Sequence, residues 1–586
     1  MTANRRVITR RRALSSAALA MAASLGLAGC VSLPSTSTPK VIDTFAPKAS
    51  GVQVPSPVPD QEPDLLVRDF VKASSRPDQR HEAARQFLTS QASDKWDDSA
   101  SAAVVLRADL SASGRRTADT ATYTLTGEKV GDLGAGGVFT SEEGEVNIEI
   151  ELVRVDGQWR IDSIPPGVVM ERADFYSSYS MHNLYFLDPG RKQLVPDPRW
   201  LSASSSEVAP SLLNMIAGDP RTSLRGTVSN RLGPSVSVRP SPTDGNQESG
   251  TTVDFQGLQT MSSEEIEEFA AQVVWTLSDA EVPGPYRLER DGAPIDERHS
   301  GGWSVEDVES FDPNPDGGQL EYVLTSADGL VRLTGSAAQR FGGPWSGIAD
   351  SRYARLSPDG KQLALVAGDG ASSGSGAVLK IGPLDGSPAD ILRGPGITSP
   401  SWSQVDNSLW FLGADGKVSR LSDPSDPGSA GTVGQDAIDS VGGTVSDMAL
   451  DPTGTRLVFV ADGHAYISVI RYGANEPVLG APLRVGQSLD NTITSVGWLG
   501  RDSILVGRSA VDAPVARITV DGAMTESQSG RNISARIDAV ASSGSHIYAL
   551  DQRSLLELDT EADDAARYWQ EVPGLSGIRA FPVVHG

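Results

Sequence analysis

A chain of 586 residues with one cysteine, Cys30, forms no internal disulfide, so each domain depends on its hydrophobic core. Histidine is nearly as scarce. His81, His182, His299, His464, His546 and His585 are scattered along the chain, with no spacing that suits zinc or iron. Basic residues number 50 against 75 acidic ones. That balance excludes nucleic acid as a partner, because counterion release needs clustered Lys and Arg, and it repels anionic lipid surfaces as well. Runs of about 20 apolar residues, the length a membrane-spanning helix needs, are absent. No serine is read in a G-x-S-x-G elbow, and there is no Walker loop and no dinucleotide fingerprint, so no catalytic residue, metal ligand or cofactor site is expected.

What is present begins at the N-terminus. The first 29 residues carry five arginines (Arg5, Arg6, Arg10, Arg11 and Arg12) and no acid, followed by the 16-residue apolar stretch ALSSAALAMAASLGLA. A charged n-region, a short h-region and small residues at the end make an export signal, and TRRRAL at 9–14 leaves the Sec and Tat routes both open. Leu27-Ala28-Gly29-Cys30 resembles the lipobox of bacterial lipoproteins. The resemblance implies cleavage between Gly29 and Cys30, an S-diacylglyceryl group on the Cys30 thiol and an N-linked palmitoyl group on its new amine. It places the protein on the extracytoplasmic face of the cell membrane. Loss of the five arginines leaves 45 basic residues against 75 acidic, so the acyl chains must anchor without electrostatic help.

Residues 30–60 are rich in Pro, Ser and Thr without apolar periodicity and read as a tether. Over 61–175, DLLVRDFVKA places Leu66, Val67, Phe70 and Val71 on one helical face, and a second helix is expected over 78–88 after Pro77. Strand patterns follow, with a hairpin at Asp156-Gly157 that carries Trp159 and Ile161. This α+β order resembles the cystatin-like or NTF2-like fold. His81 is expected to be solvated or capping. Over 176–298 the order of strand, helix, strands, long helix and strand resembles a GerMN domain. The long helix has a capping box at Ser262 and Glu265 and an apolar face of Ile266, Phe269, Ala270, Val273, Val274 and Leu277. Glu264, Glu265, Glu267 and Glu268 read as solvated acids near the helix start.

From 299 to 586 the chain repeats. Leu320, Leu363, Leu409, Leu457, Ile504 and Ile547 anchor six similar segments at separations of 43, 46, 48, 47 and 43 residues. That period and the turns at Ser357-Pro358-Asp359-Gly360 and Asp451-Pro452-Thr453-Gly454 predict an all-β propeller of about six blades. SGIRAFPVV at 576–584 is expected to close the ring on the first blade. Asp359 and Asp451 fit turn-stabilising roles better than calcium ligation.

With signal, tether, two small α+β domains and propeller in this order, the chain resembles the LpqB-type lipoproteins of actinobacteria. The resemblance implies a non-enzymatic accessory of an envelope two-component system. Its partner would be the extracytoplasmic domain of an MtrB-like sensor histidine kinase, with influence on cell-wall homeostasis and division. A protein that binds, or acts on, peptidoglycan or another cell-wall polymer is the alternative.

Overall fold

The computed structural model describes residues 54–586, apart from 203, 234, 241–249, 315–317, 369–375, 474–475 and 564–566. The signal segment, Gly29, Cys30 and the tether up to residue 53 lie outside the described residues. Three helices, α1 (Pro63–Ser74), α2 (Asp78–Arg85) and α3 (Ser90–Lys95), open the first domain. They precede β1 (Ala102–Val105), β2 (Asp109–Ala112), β3 (Thr120–Leu133), β4 (Phe139–Val155), β5 (Gln158–Ser163) and β6 (Val168–Glu171). The sheet runs β5-β4-β3-β1-β6 with β2 beside β3. Helix α1 buries Leu66, Val67, Phe70 and Val71 in one apolar cluster with Val104, Leu125, Ile150 and Ile161 of the sheet. Asp156 (φ 52°) and Gly157 (φ 79°) form the tight β4–β5 turn, because a hairpin that follows strand twist needs left-handed residues there.

The second expected helix stops at Arg85, and Gln79, Arg80 and His81 have φ between 49° and 59°. L-residues hold that conformation only when their surroundings impose it. Here Asp98 is the clamp: its carboxylate meets His81 Nδ1 at 2.9 Å and Arg85 Nη2 at 2.7 Å.

Helix α4 (Arg172–Ser178) leads into the second domain. It contains the hairpin β7 (Ser180–Leu187) and β8 (Leu194–Leu201), then α5 (Ser205–Ile216), β9 (Ser237–Pro240), β10 (Thr251–Gln256), α6 (Ser263–Asp279), β11 (Tyr286–Arg290) and β12 (Ala293–Pro294). The sheet order is β12-β11-β10-β9, and α6 is the crossover that makes β10 and β11 parallel. The capping box at Ser262 and Glu265 is present, and Phe269, Ala270, Val273, Val274 and Leu277 are fully buried. The opposite face is covered too. Gln272 and Thr276 are buried and bond the main chain of Tyr185, so α6 side chains satisfy the outer edge of β7.

Six sheets of four or five strands follow, as the repeat predicts. Their inner strands are Ser351–Leu356, Thr398–Trp402, Val445–Leu450, Ile493–Leu499 and Ala539–Ser543, with Ala580–Val583 completing the first blade. The last of these pairs Val583 with Tyr322 and Ala580 with Thr325, so the C-terminus closes the ring. Leu363, Leu409, Leu457, Ile504 and Ile547 are fully buried in second strands. Leu320 departs from the pattern. It precedes the strand Tyr322–Thr325, because the first blade takes its inner strand from the far end of the chain and needs no turn there. Among the described residues, no helix is long and apolar enough to cross a membrane.

Candidate docking platform and propeller axis

The six inner strands converge on an axial cavity of about 30 Å³, lined in part by Tyr353, Arg355, Ser399, Asp447, Val496 and Asp538. That volume holds on the order of two waters. Asp447 ties three blades together: Ser399 Oγ donates to Oδ1 at 2.6 Å, the Val496 amide to Oδ2 at 3.0 Å, and the adjacent Met448 amide to Oδ1 at 3.0 Å. Burial raises the Asp447 pKa, against the opposing pull of these hydrogen bonds and the Arg355 charge. Burial also pushes the Tyr353 hydroxyl up to about 12. At the rim, Arg579 and Arg536 bond the Asp538 carboxylate at 2.6 and 3.3 Å. The Asp447 hydrogen bonds fasten neighbouring blades at the axis.

A larger feature joins the second domain to the propeller. All eight residues of β8 are buried, although LVPDPRWL is proline-rich. Tyr185 opposes Pro196, and its amide and carbonyl bond α6, so the corresponding groups of Pro196 face the other edge of the hairpin. Pro196 and Pro198 carry no N–H, which makes that edge a row of carbonyls with few donors to satisfy. Three arginines cap it. Arg501 Nη1 donates to Leu194 O at 3.2 Å, Arg456 Nη2 to Pro196 O at 2.5 Å and Arg221 Nη2 to Pro198 O at 2.8 Å. Arg456 and Arg501 belong to the fourth and fifth blades. Asp197, fully buried between Pro196 and Pro198 in sequence, takes Arg199 Nη2 and Arg221 Nε at 2.7 Å each. Burial raises the Asp197 pKa, but the two guanidinium groups outweigh it and hold the carboxyl below its usual value.

The first domain joins the same surface. Glu143 of β4 meets Arg484 at 2.7 Å, and Tyr176 of α4 donates its OH to Ala523 O at 2.5 Å, while Trp200 of β8, packed into the first domain's apolar cluster, donates Nε1 to Asp521 at 2.9 Å. Three domains therefore meet around the fourth and fifth blades, and Pro55–Gly586 behaves as one compact unit.

The six histidines stay apart. His81 corrects the expectation of a solvated residue: it is 8% exposed and held by Asp98, with its ring 5.8 Å from that of Trp96. His299 stacks on Trp303 at 3.7 Å, His464 meets Arg484, His585 approaches Ser357 O, and burial lowers the pKa of His182. Among the described residues, no group of three or more His, Cys, Asp or Glu is placed to hold a metal ion. Asp359 and Asp451 spend their oxygens on their own turns, Asp451 accepting from the Thr455 and Arg456 amides at 2.6 and 2.9 Å. Glu268 is a second correction, since it is 3% exposed and paired with Arg231 rather than solvated. Gly370-Ala371-Ser372-Ser373-Gly374 fits the G-x-S-x-G letters, but it lies outside the described residues, between the strands Gln362–Gly368 and Gly376–Pro383. A nucleophile elbow needs a strand-to-helix turn. Sequence reading did not single out Asp447, Arg456 or Arg501, because their partners lie in other blades or another domain.

Comparison with known proteins follows the same division. The model for the LpqB lipoprotein β-propeller domain matches residues 328–584, that for the LpqB N-terminal domain 56–176, and a sporulation and spore germination model 183–296. Lipoprotein LpqB of Rhodococcus jostii (strain RHA1) is 36% identical over 582 residues, covering 97% of each chain. Lipoprotein LpqB of Corynebacterium jeikeium (strain K411) is 35% identical over 578 residues, again covering 97% of each. The Mycolicibacterium smegmatis protein of that name is 34% identical over 576 residues, covering 96% of this chain and 97% of its own. A solved structure of tandem GerMN domains from the Bacillus subtilis sporulation protein GerM is 22% identical. It covers 22% of this chain and 45% of that one at a TM-score of 0.18, too low to carry weight. With near-complete coverage by these relatives, and with all three domains matched in order, the chain belongs to the LpqB lipoprotein family.

Proposed function

We propose that the protein is acylated at Cys30, held on the extracytoplasmic face of the cell membrane, and serves as a non-catalytic accessory of an MtrB-like sensor histidine kinase. The observation that carries this reading is the joined body of hairpin and propeller. Arg456 and Arg501 of the propeller fix two carbonyls of β8, so the GerMN-like domain and the propeller present one joined surface. A joined surface suits docking, since association then loses little conformational entropy.

The test is co-purification of the kinase's external domain with the chain from residue 31 onward. Binding at micromolar concentration or tighter is expected. No association at that concentration overturns the kinase role, and sedimentation with purified peptidoglycan in its place supports a wall-binding role instead.

A further inference from the structure

A cavity of about 200 Å³ opens in the first domain between α1, β4 and the loop from β5 to β6. Phe70, Val71, Val146, Ile148, Ile164 and Val169 are among its apolar lining residues. None of its lining residues is charged, and only Ser101 and Asn147 are polar. An ionic group placed here would lose its hydration with nothing to replace it, so the cavity selects hydrocarbon.

The void is built into the backbone. Trp96 Nε1 donates to Gly167 O at 3.0 Å, the Gly167 amide to Asp97 O at 2.7 Å, and the Val168 amide to Ser101 O at 2.7 Å. Pro165 and Pro166 stiffen the same loop. Gly167 sits at φ +97°, where a Cβ would fall 2.3 Å from Ser101 Oγ. The wall therefore stays away from Val146 and Ile148, which remain half-buried while Ile150 and Leu152 further along the strand are fully buried. An engineered apolar cavity of about 150 Å³ takes benzene, so 200 Å³ scales to on the order of eight carbon atoms.

We propose that this cavity receives an alkyl chain of a membrane lipid. The uncharged lining and the capacity define the chemistry. The place of the domain supplies the source: 23 residues lie between Cys30 and Val54, a stretch that spans about 80 Å at most. An acylated chain thus keeps this domain within reach of the bilayer. That last step rests on the anchoring reading above, whereas the chemistry of the cavity does not.

The experiment uses the chain from residue 31 onward, which bears no acyl group, titrated calorimetrically with hexyl, octyl and decyl glucoside below their micelle-forming concentrations. Affinity is expected to rise about fourfold per methylene and to level off beyond about eight carbons. Ile148→Trp fills the void and should weaken octyl glucoside binding at least tenfold with an unchanged melting curve. Val169→Trp does the same from another wall if the first variant fails to fold. Dioctanoylphosphatidylglycerol should displace octyl glucoside. Affinity independent of chain length, tightening that continues through decyl, or binding that survives both tryptophan variants overturns the cavity assignment. Failure of the phospholipid to compete overturns the lipid as its source. Because no acyl anchor is present, either failure leaves the anchoring reading untouched.

Discussion

Arg456, on the second strand of the fourth blade, donates to the main-chain carbonyl of Pro196 in the second domain, and both are buried from solvent. The pair works because Pro196 lacks an N–H: the outer edge of β8 needs donors from outside, and the propeller supplies them as arginines. Arg456→Ala leaves that carbonyl unsatisfied and Asp451 without its neighbouring charge. A loss of about 3 kcal/mol is expected. Hydrogen exchange should rise across 194–201 and leave the first blade unchanged, and calorimetry should split one melting transition into two.

Asp98 carries the clamp on His81 and Arg85 and should dominate the acid sensitivity of the first domain. Burial raises its pKa, but the His81 hydrogen bond and the Arg85 charge prevail, and the net shift is downward from 3.8. A carboxyl with a lowered folded pKa adds stability above its unfolded value and loses it as pH falls through the folded one. Asp98→Asn should therefore cost about 2 kcal/mol at neutral pH. The gap to the unmodified protein should close below about pH 4, as read from melting temperatures across a pH series.

Asp447 should behave with the opposite sign. Its folded pKa is raised from 3.8, chiefly by burial, so the native state holds its proton more tightly than the unfolded chain does. The unfavourable contribution applies above the raised value and is relieved as pH falls through it toward 3.8. Asp447→Asn removes that titration and one acceptor for the Ser399 and Val496 bonds. The unmodified protein should gain stability relative to the variant as pH drops from 7 to 4. A constant difference in melting temperature would show that the seam does not titrate.

The propeller is legible in the sequence because its restraints are local and recur: a turn, then an anchor such as Leu457, every 43 to 48 residues. Ring closure is legible as well, since 576–584 reads as a strand with no blade of its own. The joint is not. Residues 183–200 read as one strand with a turn at Asp188-Pro189-Gly190, and only the facing arginines, more than 250 residues away at Arg456 and Arg501, turn the carbonyl edge of LVPDPRWL into an interface. His81 and Glu268 read as solvated for the same reason, because Asp98 and Arg231 lie 17 and 37 positions away. The alkyl cavity escapes sequence reading too, since its size depends on where the loop at Gly167 is pinned.

Cys30→Ala should leave Pro55–Gly586 folded, because the chain's single cysteine forms no internal disulfide to lose. Membrane retention should disappear, with an unprocessed precursor or a protein in the soluble fraction. Metabolic labelling with an alkyne fatty acid should mark the unmodified chain and not the variant. Equal labelling of both would remove Cys30 as the acylation site.

Deletion of residues 576–586 should be far more damaging than its length suggests. It removes the strand Ala580–Val583, which pairs with Tyr322–Thr325 and supplies the inner strand of the first blade. It also removes the Val584 carbonyl that accepts from the Leu356 amide at 3.1 Å, a clasp on the second blade. Two sheet edges at the axis would then be unpaired, a template for association between molecules. Val583, 2% exposed in the core beneath Leu324 and Leu356, isolates packing from pairing. Val583→Ala keeps the backbone ladder and should cost about 2 kcal/mol. The deletion should give insoluble protein or a product that binds a hydrophobic dye. If the deleted chain were monomeric with an unaltered melting temperature, the C-terminal strand would not be what holds the ring shut.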